Sequence, residues 1–222
     1  MILEKAFLFD LDGVIVDTAV FHFKAWKKLT NLLGFDIDQE FNESLKGISR
    51  MDSLNEILKK GNLEISMEEK LKYAEIKNSW YLELVNQMTE KDILPGVKEF
   101  LNVSRNLGIK IALGSASKNA TLILEKTGIL SFFDAIIDGN HVSKSKPDPE
   151  VFFKGAEALQ VLAKNCIVFE DAFAGVQAAK AAQMKAVGIG DSQVLTNADF
   201  VLKGLFEIGP IEILEKLETI NQ

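Results

Sequence analysis

The 222-residue chain is poor in several residue types. It has one cysteine, four prolines, two tryptophans and two histidines, and its 25 basic residues are outnumbered by 32 acidic ones. A single cysteine excludes an intramolecular disulfide, which fits a reducing compartment. Cys166 sits in the apolar run Cys166-Ile167-Val168-Phe169 and reads as core packing. The formal net charge of -7 opposes binding to nucleic acid or to an anionic membrane surface. An anionic substrate would need local cations to hold it against this background. No apolar run approaches the roughly 20 residues of a membrane span. The opening MILEKAFLFD meets acidic residues too soon for a signal peptide. There is no internal repeat and no low-complexity tract. A cytoplasmic protein, monomeric and acting on a small molecule, is expected.

Hydrophobic residues make up 47% of the chain and charged residues 26%, the balance of a globular protein with one core or a core carrying a smaller insert. Short apolar runs without alternation occur at 6–9, 109–113, 135–137, 166–169, 186–189 and 198–202, as in strands buried on both faces. Helical patterns lie between them at 97–107, 119–126, 150–159 and 175–183. The first follows Pro95-Gly96 and stops at Gly108; the second can be capped by Ser117 and ends at Gly128. Strand and helix alternating in this way predict a doubly wound parallel α/β sheet. The stretch from about 19 to 88 differs, with helical periodicity and no strand. Helices are expected at 21–33, at 52–60 and from a capping box at Ser66-Met67-Glu68-Glu69 to about 88. The expected division is an α/β core of residues 1–16 and 92–222 with an inserted α-helical cap domain of residues 17–91.

Four short motifs carry chemistry. Asp10-Leu11-Asp12-Gly13 follows the first strand, so two carboxylates can face the crevice beyond the strand ends. An aspartate is already anionic at neutral pH and can attack phosphorus without a base, while a second carboxyl protonates the leaving oxygen. Ser115-Ala116-Ser117 follows another strand and can present a hydroxyl and a helix start to an anion. Lys146, just before Pro147, offers a cation. Glu170-Asp171 closes a further strand, and acids facing the first strand's acids call for a cation such as magnesium. Taken singly, each has a plainer reading as an acidic turn, a loop cap, a solvated turn or an acidic helix start. Each also ends a separate predicted strand, and so all four can share one crevice.

The order Asp-x-Asp, Ser, Lys, Glu-Asp resembles the haloacid dehalogenase superfamily. The resemblance implies a Rossmann-like core, Asp10 as nucleophile, Asp12 as general acid/base, and Ser115 and Lys146 as phosphate ligands. It also implies magnesium held by Asp10, the Asp12 backbone carbonyl and Asp171, with Glu170 nearby. Ala172 departs from the pattern, where relatives often carry Ser. In the insert, Asp17-Thr18-Ala19 with His22-Phe23-Lys24-Ala25-Trp26, Lys46-Gly47-Ile48-Ser49-Arg50, and Lys77-Asn78 resemble the beta-phosphoglucomutase branch of the superfamily. So does Ser115-Ala116-Ser117-Lys118-Asn119 in the core. This implies that Arg50 grips the non-transferring phosphate and that Ser117, Lys118 and Asn119 line a phosphate site. His22 and Lys77 would support Asp12 and the sugar, Thr18 would steady Asp12, and Trp26, Gly47 and Ala116 would shape the sugar site. A sugar-phosphate phosphatase with the same aspartate chemistry is the alternative, and a non-catalytic binding module is a third reading. His141 and Trp80 read as loop and packing residues.

Overall fold

The computed structural model describes residues 5–219. Strand β1 (Ala6–Phe9) lies at its centre and is buried at every position. Its side chains alternate between two apolar clusters: Phe7 and Phe9 enter one, and Ala6 and Leu8 the other. That is why the run is apolar throughout rather than at every second residue. In chain order there follow α1 (Ala19–Leu32), α2 (Gln39–Glu43), α3 (Arg50–Lys60), α4 (Met67–Val85) and α5 (Val97–Asn106). Then come β2 (Lys110–Gly114), α6 (Ala120–Thr127), β3 (Ala135–Ile137), α7 (Glu150–Leu159), β4 (Cys166–Glu170), α8 (Phe173–Ala181), β5 (Lys185–Ile189), β6 (Phe200–Leu202) and α9 (Pro210–Thr219).

The strands form one parallel sheet in the order β3-β2-β1-β4-β5-β6. Helices α5, α6 and α9 cover the Phe7 and Phe9 face through Phe100, Leu101, Ile123, Leu124, Ile213 and Leu217. Helices α7 and α8 cover the other through Phe152, Leu159, Val176 and Ala179. The predicted doubly wound α/β architecture is present. Phe9 and Phe169 stack at 4.7 Å between ring centroids, and Phe7 meets Phe169 edge-on at 5.2 Å, which locks β1 to β4. The chain order reverses direction at β1, between β2 and β4, so the crevice for a ligand opens at the carboxyl ends of these strands.

Helices α1 to α4 lie between β1 and β2 in sequence and enclose a third cluster of their own, with Trp26, Leu29, Leu54, Ile57, Leu58 and Ala74. The chain leaves the core and returns to it side by side: Val16 forms an antiparallel bridge with Ile93, and the Leu94 N–H donates to the Ile15 carbonyl at 3.0 Å. Helix α2 was not expected from the sequence. It is a single five-residue turn capped by Asp38, whose carboxylate accepts from the Phe41 N–H at 2.8 Å, and it is too short to show a period. Among the described residues, no helix is long and apolar enough to cross a membrane.

The capping box opening α4 is formed as predicted. Ser66 Oγ accepts from the Glu69 N–H at 3.2 Å, and the Glu69 carboxylate accepts from the Ser66 N–H at 2.9 Å. Ser66→Ala removes one half of this exchange. It is expected to lower the unfolding free energy by about 1 kcal/mol, read as a lower urea midpoint, and Ser66→Thr should restore most of the loss.

Candidate active site

The site begins where β1 ends. The Asp10 N–H donates to the Phe169 carbonyl at 2.9 Å, which extends the β1–β4 pairing and sets the Asp10 carboxylate at the mouth of the crevice. Gly13 has φ +79°, and a Cβ there would lie 2.1 Å from Asp171 Oδ2. The loop after β1 and the loop after β4 approach so closely that only glycine fits. Lys146, on the loop before α7, is buried and reaches across both strands. Its Nζ donates to Asp10 Oδ1 at 2.5 Å and also bonds Glu170 Oε1. The second Glu170 oxygen accepts from the Ala172 N–H at 2.9 Å. Burial works against the Lys146 charge, but Asp10 and Glu170 outweigh it and raise its pKa.

Asp10, Glu170 and Asp171 present oxygens that all lie within 4.8 Å of one another. Asp171 is paired from the insert by Lys46 at 3.2 Å. Loss of water and then the Asp10 charge lift the Asp171 carboxyl to about 6. Glu170 is likewise lifted, by burial first and, against the pull of Lys146, by Asp10 and Asp171. One buried ammonium does not balance this group. A set made of carboxylate oxygens with excess negative charge suits a hard divalent cation. Both Glu170 oxygens are engaged by Lys146 and the Ala172 amide, which leaves Asp10 and Asp171 as the acids better disposed to hold such an ion.

The Asp12 carboxyl stands apart from this group. Thr18 donates its hydroxyl to Asp12 Oδ1, and Tyr81 donates to Thr18 Oγ1 at 3.3 Å. Burial, then the charges of Asp10 and Asp171, hold Asp12 well above the ordinary carboxylate range. A carboxyl so placed keeps its proton more readily than a solvated aspartate, which suits a general acid.

Ser115 directly follows β2 and is buried. Its Oγ accepts from the Ser117 N–H at 3.1 Å, and Ser117 Oγ accepts from the Asn119 N–H at 3.2 Å. These two steps turn the chain into α6, which begins one residue later than expected, with Asn119 in the cap position and no side-chain bond of its own to the helix. Ser117 serves the turn before the helix and does not cap it. Behind the turn, Asn140 Nδ2 donates to the Lys118 carbonyl at 3.1 Å, and His141 Nδ1 lies 2.7 Å from the buried Asp138. His141 is the loop residue it was read to be.

The insert supplies the opposite wall. His22 Nδ1 and Lys77 Nζ are 2.8 Å apart, and Lys77 Nζ lies 4.4 Å from the Trp26 ring centroid and 4.8 Å from that of Tyr81. Burial, then Arg50, pushes the Lys77 pKa well down, with Asp12 opposing; burial, Lys77 and Arg50 push His22 down. Arg50, at the first position of α3, meets Glu75 Oε1 at 3.4 Å. Asn119 Nδ2 donates to Asn78 Oδ1 at 3.0 Å, joining core to insert.

Core and insert together enclose a cavity of about 700 Å³. Asp10, Asp12, His22, Trp26, Gly47, Arg50, Lys77, Ser115, Ala116, Ser117, Lys118, Asn119, Lys146 and Asp171 all line it. Of the candidate site residues named from the sequence, Thr18 and Glu170 do not; they stand behind Asp12 and Lys146. Sequence reasoning assigned no site role to Lys46, Glu75, Asn78 or Tyr81. Tyr81 was legible in one respect, as it lies four residues after Lys77 and so shares its helix face.

The raised carboxyls have a measurable consequence. Between about pH 5 and pH 8 the folded, metal-free protein binds more protons at Glu170 and Asp171 than the unfolded chain does, so stability falls as pH rises through that window. The lowered Lys77 and His22 act in the opposite sense, so the carboxyl contribution is read by difference. In chelator, raising the pH from about 5.5 to about 8 is expected to lower the thermal midpoint of the parent relative to that of Asp171→Asn, and an unchanged pH dependence in that variant would contradict the assignment.

Residues 7–189 match the family model of haloacid dehalogenase-like hydrolases. The chain is 43% identical over 201 residues to the beta-phosphoglucomutase of Bacillus subtilis, covering 90% of this chain and 89% of the relative. It is 28% identical over 220 residues to a phosphorylated carbohydrates phosphatase of Thermotoga maritima, covering 98% and 97%. The crystal structure of a beta-phosphoglucomutase from Clostridium difficile superposes with a TM-score of 0.95 at 46% identity, covering 99% of this chain and 100% of that one. With three of its motifs at the ends of β1, β2 and β4 and Lys146 brought to the same crevice by the long loop between β3 and α7, not by a strand end as expected, the chain belongs to the haloacid dehalogenase-like hydrolase family.

Proposed function

We propose that the protein is a magnesium-dependent beta-phosphoglucomutase, interconverting beta-D-glucose 1-phosphate and glucose 6-phosphate through a bisphosphate. The observation that carries this reading is the enclosure of Asp10 and Asp12 in one cavity with cations from both sides, Lys146 and Lys118 from the core and Arg50 and Lys77 from the insert. A bisphosphate that turns end for end needs two anion sites, and this cavity offers cationic groups beyond the one beside the nucleophile. The identity to the Bacillus subtilis beta-phosphoglucomutase supports the same reading.

Asp10 would attack phosphorus, forming an acyl phosphate as the bond from phosphorus to the sugar oxygen breaks. Asp12 would give its proton to that leaving oxygen. In the step that remakes the bisphosphate, Asp12 takes the proton of the free hydroxyl of a bound hexose monophosphate as that oxygen attacks the aspartyl phosphate. Magnesium, bound by Asp10, the Asp12 backbone carbonyl and Asp171, would supply charge neutralisation at the transferring phosphoryl group. Ser115 and Lys146 would hold the oxygens of that group. Arg50 would take the remote phosphate through a bidentate fork, with Ser117, Lys118 and Asn119 beside it. His22 and Lys77 would orient Asp12 and the sugar against Trp26, Gly47 and Ala116.

Residues 17–91 would act as a cap on a core of residues 1–16 and 92–222. The two chain segments bridged at Val16 and Ile93 would form the hinge. Closure of the cap excludes water, which would otherwise take the phosphoryl group. A monomer working in the cytoplasm suffices for this chemistry.

Acid-quench labelling from a phosphoryl donor should mark Asp10, and Asp10→Asn should lose the label; a label retained on another residue would remove Asp10 as nucleophile. Chelation should stop turnover, and Asp171→Ala should raise the magnesium requirement. In a coupled assay primed with bisphosphate, isomerisation of beta-D-glucose 1-phosphate should far exceed phosphate release. Arg50→Ala should lower kcat/KM for isomerisation by about 10- to 100-fold, the worth of charge-assisted bonds to phosphate. Dominant phosphate release would establish the phosphatase reading that the Thermotoga maritima relative represents.

A further inference from the structure

Segment 44–49 joins α2 to α3 and rests on the loop after β4. Gly47, at φ +77°, packs so close that a Cβ there would lie 3.2 Å from the Ala172 Cβ. This seating brings Lys46 over the acid group. Its Nζ is 2.7 Å from Glu43 Oε2 on its own side and 3.2 Å from Asp171 Oδ2 on the core. Oδ2 is the Asp171 oxygen that faces the loop after β1, since it is the atom a side chain at Gly13 would strike. A cation that used this oxygen to bridge Asp171 and Asp10 would meet Lys46 there.

We propose that Lys46 is a tethered cation that competes with the metal for Asp171, so that filling the metal site and unseating segment 44–49 are one coupled event. The inference rests on the metal reading of the acid group and adds to it a link between metal and cap. An ammonium and a divalent ion bound to one carboxylate edge repel each other. The ion displaces Lys46, and Glu43 retains the ammonium. With this ion pair gone, the segment loses a tie to the core and keeps the contact of Gly47 with the loop after β4. The coupling is reciprocal: whatever unseats the segment raises metal affinity by the factor by which metal unseats it. Lys46 acts here as a positioning residue. It keeps the apo site from standing as uncompensated carboxylates and makes the cap responsive to the metal.

The test uses Mn2+ as the probe and binding, not turnover, as the readout. The dissociation constant is measured by calorimetry or electron paramagnetic resonance for the full chain and for Lys46→Met, Lys46→Arg and Asp171→Asn. Lys46→Met should bind Mn2+ about fivefold more tightly, the scale of a partly exposed ion pair; Lys46→Arg, which keeps the charge, should stay near the parent. Hydrogen exchange in segment 44–49 should rise on adding Mn2+ to the parent and be high from the start in Lys46→Met. Equal or weaker binding by Lys46→Met, with Asp171→Asn abolishing binding, would overturn the role of Lys46 and leave the metal reading standing. No Mn2+ binding by the parent would overturn both.

Discussion

The excess of negative charge at the carboxyl ends of β1 and β4 is the constraint on which the rest depends. Asp10, Asp12, Glu170 and Asp171 are gathered at the ends of two neighbouring strands, and the largely apolar interior behind them offers little solvation. Buried carboxylates in such a place ionise only against cations. Lys146 answers part of this from the core, and Lys46 part of it from the insert. The buried Lys146 contact is weak evidence for stability, because desolvation takes back much of what attraction provides. Its value lies in geometry: one ammonium in contact with Asp10 and Glu170 fixes the loop before α7 over the nucleophile, and it leaves the acids short of balance.

The opposite wall solves the inverse problem. His22, Lys77 and Arg50 are basic groups crowded into a buried pocket, and each is pushed toward its neutral form by burial, with neighbouring cations adding to the shift of His22 and Lys77. Aromatic faces of Trp26 and Tyr81 offer Lys77 partial compensation. A site with surplus acid on one wall and suppressed base on the other is incomplete by charge. A ligand carrying phosphates together with a divalent ion would complete both walls. Under the proposed function, this complementarity would favour closure of core and insert over such a ligand rather than over water.

Much of this was legible in the sequence, for physical reasons. Strands buried on both faces have to be apolar throughout, so Ala6–Phe9 and Cys166–Glu170 declare themselves. The motif residues follow those runs directly, and the parallel sheet then brings them to one edge. The capping box at Ser66 is a local rule and was formed as read. What escaped notice depends on tertiary approach. Helix α2 is one turn long, too short for any periodicity, and its existence rests on an Asp38 cap and packing of Phe41 against the insert's own cluster. Ser117 looked like a helix cap because the hydroxyl stands at a strand-to-helix junction; the structure spends it one step earlier, on the turn. Lys46 and Asn78 stood inside the motif stretches without a role, because the site contacts of Lys46, Glu75 and Asn78 are with residues 25 or more positions away, which spacing along one chain does not reveal.

The bridge between Val16 and Ile93 also bears on how the chain finds its fold. Pairing β1 with β2 closes a loop of roughly a hundred residues, a slow and entropically costly step for a parallel sheet. Helices α1 to α4 share an apolar cluster built from residues of their own stretch of the chain. Once they have gathered around it, Val16 and Ile93 are neighbours, and the loop left to close shrinks to roughly 25 residues. The helices that wall the cavity in the finished protein thus shorten the search by which its central strands meet.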